Sequence, residues 1–422
     1  MKLIRTGVSL KADHNRIILR PFVIPVEERI KKILKRILSL TEEEALTELQ
    51  HILKDFEWRH KNLKRFFMKR FEDVKNYLPG NETISEDRKL LVGSYFTMEY
   101  AVESASLFNP SIVRHPDQTG LPKGSKKFII SLRATGEGHI SSIEFRTGII
   151  DEGNNISIDT LGRFVVLPEE ITDSGNSDYE IKFPDDSELS ERIIFPHSPV
   201  ESNGIEDARF VEFKEKDKSL TYYATYTGYD GRNIVPRLLE TKDFLHFKIK
   251  SLTGSEAVNK GFALFPGMIN GKYAMLSRQD NENNFIMFSN DLYSWNSKKI
   301  ILEPKFFWEF VQIGNCGSPV ETEEGWVVLS HGVGTMRKYV IGVFLLDKEN
   351  PEKIIGRLSE PLISPLEYER EGYVPNVVYS CGGLINGDEL IIPYAMSDCA
   401  TGFAKVNIND LLSELTSPKN KF

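Results

Sequence analysis

Within VESNGIEDARFVEF, residues 200–213, three charged side chains fall together: Glu206, Asp207 and Arg209. They follow a turn at Gly204 and lie between two apolar, strand-like runs. Carboxylates beside a fixed cation at a strand end suit transfer of a proton or capture of a polar ligand. A carboxyl that donates a proton near neutral pH needs its pKa raised by burial or a like charge; Glu206 would help and Arg209 would oppose it. The alternative is that Asp207 only pairs with Arg209 in a turn. Elsewhere in the chain, Arg133, Glu137, Lys260, Arg278, Glu321, His331 and Asp398 lie in or around similar segments.

Those segments are the elements that must position the chemistry. Five stretches, 126–148, 219–247, 271–295, 324–350 and 388–412, each read as an apolar strand, a short polar loop and a second strand. Matching positions Tyr222, Tyr273, Trp326 and Leu390 lie 51, 53 and 64 residues apart. Four strands per repeat of about 50 residues is what a propeller blade requires. The expected fold is therefore all-β, a five-bladed β-propeller whose innermost strands bring residues from distant repeats to one central pocket.

Residues 25–108 have another texture and are expected to form an N-terminal α-helical extension, after a segment 1–24 that supplies a strand to the propeller of 109–422. Ile30, Ile33, Leu34, Ile37 and Leu38 share one helix face. Thr41 and Glu44 spell a capping box. Pro79-Gly80-Asn81 breaks the pattern, and Ser85 caps a helix expected to run on through residues 95–106. This segment is expected to pack on the main domain or to make a homodimer contact.

Net charge is −8, against a nucleic-acid footprint, which needs a concentrated basic face. No run approaches the roughly 20 apolar residues of a membrane span, and the N-terminus lacks the apolar stretch of a secretory signal. Three scattered cysteines, Cys316, Cys381 and Cys399, support neither a disulfide framework nor a zinc site and are expected as small core residues. A cytoplasmic protein with no metal and no cofactor is the expectation.

Five motifs in order resemble glycoside hydrolase family 130, the β-mannoside phosphorylases and β-mannosidases. NGIEDARFVEF is similar to its G-x-E-D-P-R signature, with Ala208 where proline is usual. KGFALFP (260–266), SHGVG (330–334), YEREGYVPNVVYSCGG (368–383) and PYAMSD (393–398) resemble its other landmarks. The resemblance covers residues 109–412 and implies a five-bladed propeller and an inverting mechanism, with Asp207 as general acid. Asn109, Ser111, Arg133, Glu206, Arg209 and Asp398 match positions expected to contact the sugar. Lys260, Arg278 and His331 match the basic residues that hold phosphate in the phosphorylases.

Glu321 stands where phosphorylases of the family carry a lysine, which points to water as nucleophile, with Glu321 as first candidate for general base and Glu369 as second. An inverting hydrolase separates acid and base by roughly 6.5–9.5 Å. The expected reaction is hydrolysis of β-mannosides, β-1,2-linked mannooligosaccharides above all; the alternative is phosphorolysis with inorganic phosphate, releasing mannose 1-phosphate. His139 and Glu144 are further candidates for the pocket mouth, and Phe307 and Trp308 for stacking on a sugar face, with core packing as the alternative. A non-catalytic sugar-binding propeller and an arabinanase-like glycosidase are the rivals from other classes.

Overall fold

The strands of the described residues pair into five antiparallel sheets and one two-stranded ribbon. The coordinates are a computed structural model, which describes residues 1–80 and 83–421; Asn81, part of the expected break, lies outside them. Two compact units divide the chain: residues 1–13, 103–161 and 167–422 form one, and residues 14–102 with 162–166 the other.

In the larger unit the sheets follow chain order. The first contains Ser106–Arg114, Lys126–Thr135 and Ser141–Ile150; the second runs from Ile205–Lys214 through Leu220–Tyr229 to Ile234–Thr241 and beyond. The third orders Lys260–Leu264, Tyr273–Arg278, Asn284–Ser289 and Lys299–Leu302, and the fourth Gln312–Asn315, Trp326–Val333, Tyr339–Leu346 and Ile354–Arg357. The fifth combines Val378–Tyr379, Glu389–Met396 and Ala400–Asn407 with Leu3–Lys11 from the other end of the chain. All five expected strand–loop–strand segments are hairpins of these sheets, although the last ends in a helix, α5 (Ile408–Leu415; α1–α4 belong to the smaller unit).

Apolar faces join each sheet to the next. Phe145 of the first meets Phe210 of the second edge-on, with centroids 5.9 Å apart. Val211 and Phe213 pack with Leu264 and Met275, Leu276 with Val328 and Phe344, and Leu329 and Ile341 with Leu390 and Ile392. Leu132 of the first sheet shares a core with Ile391 and Phe403 of the fifth. Strands covered on both faces explain why Trp326–Val333 opens on four apolar residues in a row and is buried throughout.

The smaller unit holds α1 (Glu27–Leu38), α2 (Glu42–Phe56), α3 (Leu63–Val74) and α4 (Glu86–Tyr95), with a ribbon of Ile17–Pro21 on Thr97–Ala101. Thr41 and Glu44 form the expected capping box, and the Ser85 hydroxyl caps α4. Arg88 on α4 turns its guanidinium onto the carbonyls of Ile37, Leu38 and Leu40 at the C-terminal end of α1. The helix from Ser85 stops at Tyr95 instead of continuing to 106. Thr97, Met98 and Tyr100 belong to a strand, because pairing with residues 17–21 outweighs local propensity.

Candidate active site

One end of all five sheets carries the chemistry, because each first strand begins where the antiparallel second strand finishes. The cross-strand neighbours there are Phe108 with Arg133, Glu206 with Thr227, Lys260 with Arg278, Gly314 with His331, and Val378 with Met396. Asp398 follows two residues after the last. Residues far apart in sequence thus lie at equivalent positions.

The first strands of three sheets are bulged at that end, between Phe108 and Ser111, Glu206 and Arg209, and Lys260 and Ala263. A bulge re-aims the side chain of the extra residue. Asn109, Asp207 and Gly261 take the left-handed backbone there, with φ of 47°, 55° and 96°. Asn and Asp accept that conformation better than other residues with a Cβ, yet it costs of order 1 kcal/mol or more.

Asp207 Oδ1 accepts from Asn109 Nδ2 at 2.6 Å and lies 3.4 Å from Arg133 Nη1. Arg133 Nη2 also donates to Glu206 Oε1 at 2.8 Å, and Lys260 Nζ stands 3.6 Å from the other Glu206 oxygen. Arg209 does not pair with Asp207: its guanidinium donates to Tyr379 Oη at 2.6 Å and to the Phe262 carbonyl at 3.2 Å. The turn-pairing alternative for Asp207 therefore fails. A pocket lies against these groups, lined by Asp207, Arg209, Thr227, Lys260, Arg278 and Tyr379.

Charge is unevenly compensated. Burial alone would raise the Asp207 carboxyl, but Arg133, Lys260 and Arg209 outweigh it and hold the group below its ordinary value. The site thus presents an ionised Asp207, contrary to the raised pKa expected of an acid. Asp398 shows the opposite balance, pushed up to about 6 by burial and by the charge of Asp207. Arg278 is 6% exposed, and its guanidinium has no hydrogen-bond partner among the described residues. Burial and the neighbouring Arg209 lower its pKa.

Several expected site residues have other duties. Glu321 pairs with Trp326, at the end of Trp326–Val333 remote from His331, and its exposed carboxylate faces Lys348 at 3.4 Å. Five residues of strand put it roughly 16 Å from His331, so it is no base for this pocket. Glu369 is buried, takes two bonds from Arg5, at 2.8 and 3.0 Å, and accepts from Tyr394 and the Leu366 amide. A carboxylate so engaged, its pKa held low by Arg5 against burial, is structural. Ser111 is fully buried and accepts from the Phe210 amide.

His331 is buried between Tyr339 and Tyr379, with Nε2 3.0 Å from Gln312 and Nδ1 3.8 Å from Cys316 Sγ. Burial and the adjacent Arg278 and Arg209 drive its pKa well down, so it is neutral and adds no charge for an anion. Trp308 packs over Gly332 and Gly342 and donates to the Ser359 carbonyl, while Phe307 is exposed. Glu144 pairs with buried Arg146. Cys316 and Cys381 are buried as expected, but Cys399 is exposed.

Tyr379, Thr227 and Gln312 were not among the expected residues. Tyr379 sits in the VVYSCGG landmark, and Gln312 opens the first strand of its sheet as Lys260 opens the one before.

Comparison with known proteins gives the family. Residues 154–416 match the family model described as β-1,4-mannooligosaccharide phosphorylase, glycoside hydrolase family 130. The chain is 35% identical over 228 residues to a 1,2-β-oligomannan phosphorylase of Thermoanaerobacter sp. (strain X514), covering 53% of this chain and 75% of that protein. It is 29% identical over 231 residues to the β-1,2-mannobiose phosphorylase of Listeria innocua, covering 53% and 63%. The solved structure of a Listeria innocua β-1,2-mannobiose phosphorylase with β-1,2-mannobiose superposes with a TM-score of 0.53 at 20% identity, over 74% of this chain and 92% of that one. A structure described under family 130 glycoside hydrolases that target β-1,2 mannosidic linkages gives 0.55 at 18%, over 74% and 87%. The chain belongs to glycoside hydrolase family 130 and is an enzyme of that family.

Proposed function

We propose that this enzyme is a β-mannoside phosphorylase, acting on β-1,2-linked mannooligosaccharides with inorganic phosphate as nucleophile. The carrying observation is the buried Arg278, whose Nε has no hydrogen-bond partner among the described residues and which lines one pocket with Lys260 and Asp207. A dianion would neutralise both cations, and a water molecule would not. The hydrolytic expectation loses its base, since Glu321 lies elsewhere and Glu369 is consumed by Arg5. Relatives named as β-1,2-mannoside phosphorylases support the linkage.

Five sheets, each packed on the next and the fifth on the first, support the five-bladed propeller, with the Asp207 pocket where the first strands converge. Helices α1–α4 and their ribbon are read as the N-terminal extension.

In this reading a phosphate oxygen attacks the anomeric carbon as the glycosidic C–O bond breaks, and the leaving oxygen takes the proton that Asp207 supplies. Inversion gives α-mannose 1-phosphate and a shortened mannoside. Phosphate also settles the acid problem. Its charge offsets Lys260 and Arg209, two of the three cations that hold Asp207 ionised, so burial then raises the carboxyl toward protonation. The acid is armed by the nucleophile.

Product analysis on β-1,2-mannobiose with and without phosphate tests the reading. Strict phosphate dependence with mannose 1-phosphate as product is expected; equal rates of mannose release in both would overturn it. Asp207→Asn should lower turnover by about a thousandfold or more, in keeping with loss of a general acid.

A further inference from the structure

Tyr373 and His139 form an exposed pair that the chemistry above does not use. Tyr373 is held between two residues that touch the turn bearing Asp398. The Val374 amide donates to the Ser397 carbonyl at 3.0 Å. A Cβ on Gly372 would come within 2.5 Å of that same oxygen and 2.9 Å of Cys399 Cβ, so the backbone lies flat against the turn. The Tyr373 hydroxyl meets His139 Nδ1 at 3.1 Å, with ring centroids 5.6 Å apart and planes inclined by 36°.

His139 projects from the loop that follows Arg133 and holds φ at +62°. The pair therefore bridges two loops of the first and fifth sheets, one following the strand that carries Arg133 and the other packed on the turn that carries Asp398. Tyr373 nevertheless stays 53% exposed, and His139 Nε2 has no partner among the described residues. An aromatic face left to solvent, its polar tip tied down and a ring nitrogen beside it, matches a pyranose, which has apolar C–H faces and equatorial hydroxyls.

We infer that Tyr373 and His139 form the subsite for the sugar unit beyond the cleaved bond, with Tyr373 stacking on the ring and His139 Nε2 meeting a hydroxyl. This rests on the Asp207 pocket holding the mannosyl unit to be transferred. The pair then sets the preference for a disaccharide or longer substrate, and for a sugar acceptor in the reverse direction.

Calorimetric binding of mannose and of β-1,2-mannobiose, in the Asp207→Asn protein to prevent turnover, tests the assignment. Tyr373→Ala should weaken mannobiose binding about tenfold, as loss of a stacked aromatic contact does, and leave mannose binding within about twofold. Tyr373→Phe, which keeps the ring, should retain most of the affinity, and His139→Ala should fall between. Unchanged mannobiose binding in Tyr373→Ala overturns the inference. So does an equal loss for both sugars, which would mark a structural effect through the 397–399 turn. A parent protein that binds neither sugar sinks the mannoside reading as well; sugar binding by the parent with no phosphate-dependent cleavage by the native enzyme sinks phosphorolysis alone.

Discussion

Arg278 is costly as a folded-state residue, being a buried cation with no partner among the described residues. Such a charge destabilises unless a counter-ion arrives, so stability is exchanged here for readiness to bind an anion. Arg278→Met should raise unfolding free energy by about 1–3 kcal/mol while raising the KM for phosphate at least about tenfold; thermal unfolding and phosphate-dependence curves measure the two effects. Added phosphate should stabilise the native enzyme and do little for the variant. Asp398 supplies a pH test with a definite sign. Its folded pKa of about 6 exceeds the ordinary 3.8, so its contribution is full below pH 4 and is lost as pH rises through 6. Asp398→Asn removes that loss, and its stability relative to the native chain should grow by about 2 kcal/mol between pH 4 and 6.5, read from denaturant midpoints. The residue types were legible in sequence, but the compensation was not. That Arg209 answers to Tyr379 and Glu369 to Arg5 depends on partners 170 and 364 positions away.

At the element scale the bulges matter most. They turn Asn109 and Asp207 out of register, and the third sheet uses Gly261 at the equivalent place. With φ at +96° and a would-be Cβ 3.1 Å from Arg278 Cβ, Gly261 lets Lys260 and Arg278 share the pocket. Gly261→Ala should cost about 1–3 kcal/mol through strain and raise the phosphate KM more than the mannoside KM; a retained phosphate KM would show that the bulge does not shape the anion site. The five hairpins were legible from alternating apolar runs and turn residues, and the Thr41–Glu44 cap from its spacing. The short strands 312–315 and 378–379 were not, because a few buried residues carry no period. That gap hid Gln312 and Tyr379 and let Glu321, on a later strand, stand in for an inner position.

For the whole molecule, the two ends of the chain meet in the fifth sheet, where Leu3–Lys11 pairs with Ala400–Asn407. Arg5 reinforces the join through Glu369, Tyr394 and the Ser364 carbonyl. Arg5→Met should strand a buried carboxylate and lower stability by about 3 kcal/mol, near the lower end for broken buried pairs. It should leave the KM values for phosphate and mannobiose at 25 °C nearly unchanged, because neither residue enters the pocket. A selective loss of turnover without destabilisation would return Glu369 to the chemistry.

The sequence by itself determined the β-sheet class of the larger unit, the five hairpins, the family and the identity of Asp207 as the residue to watch. Local periodicity and short motifs encode these things, since they depend on neighbours within a few positions. Only the tertiary structure decided which carboxylates and cations share one dielectric environment. Coulombic interactions and desolvation act through space, and Glu321 and Arg278, both plausible on paper, were separated by which end of a strand faces the pocket.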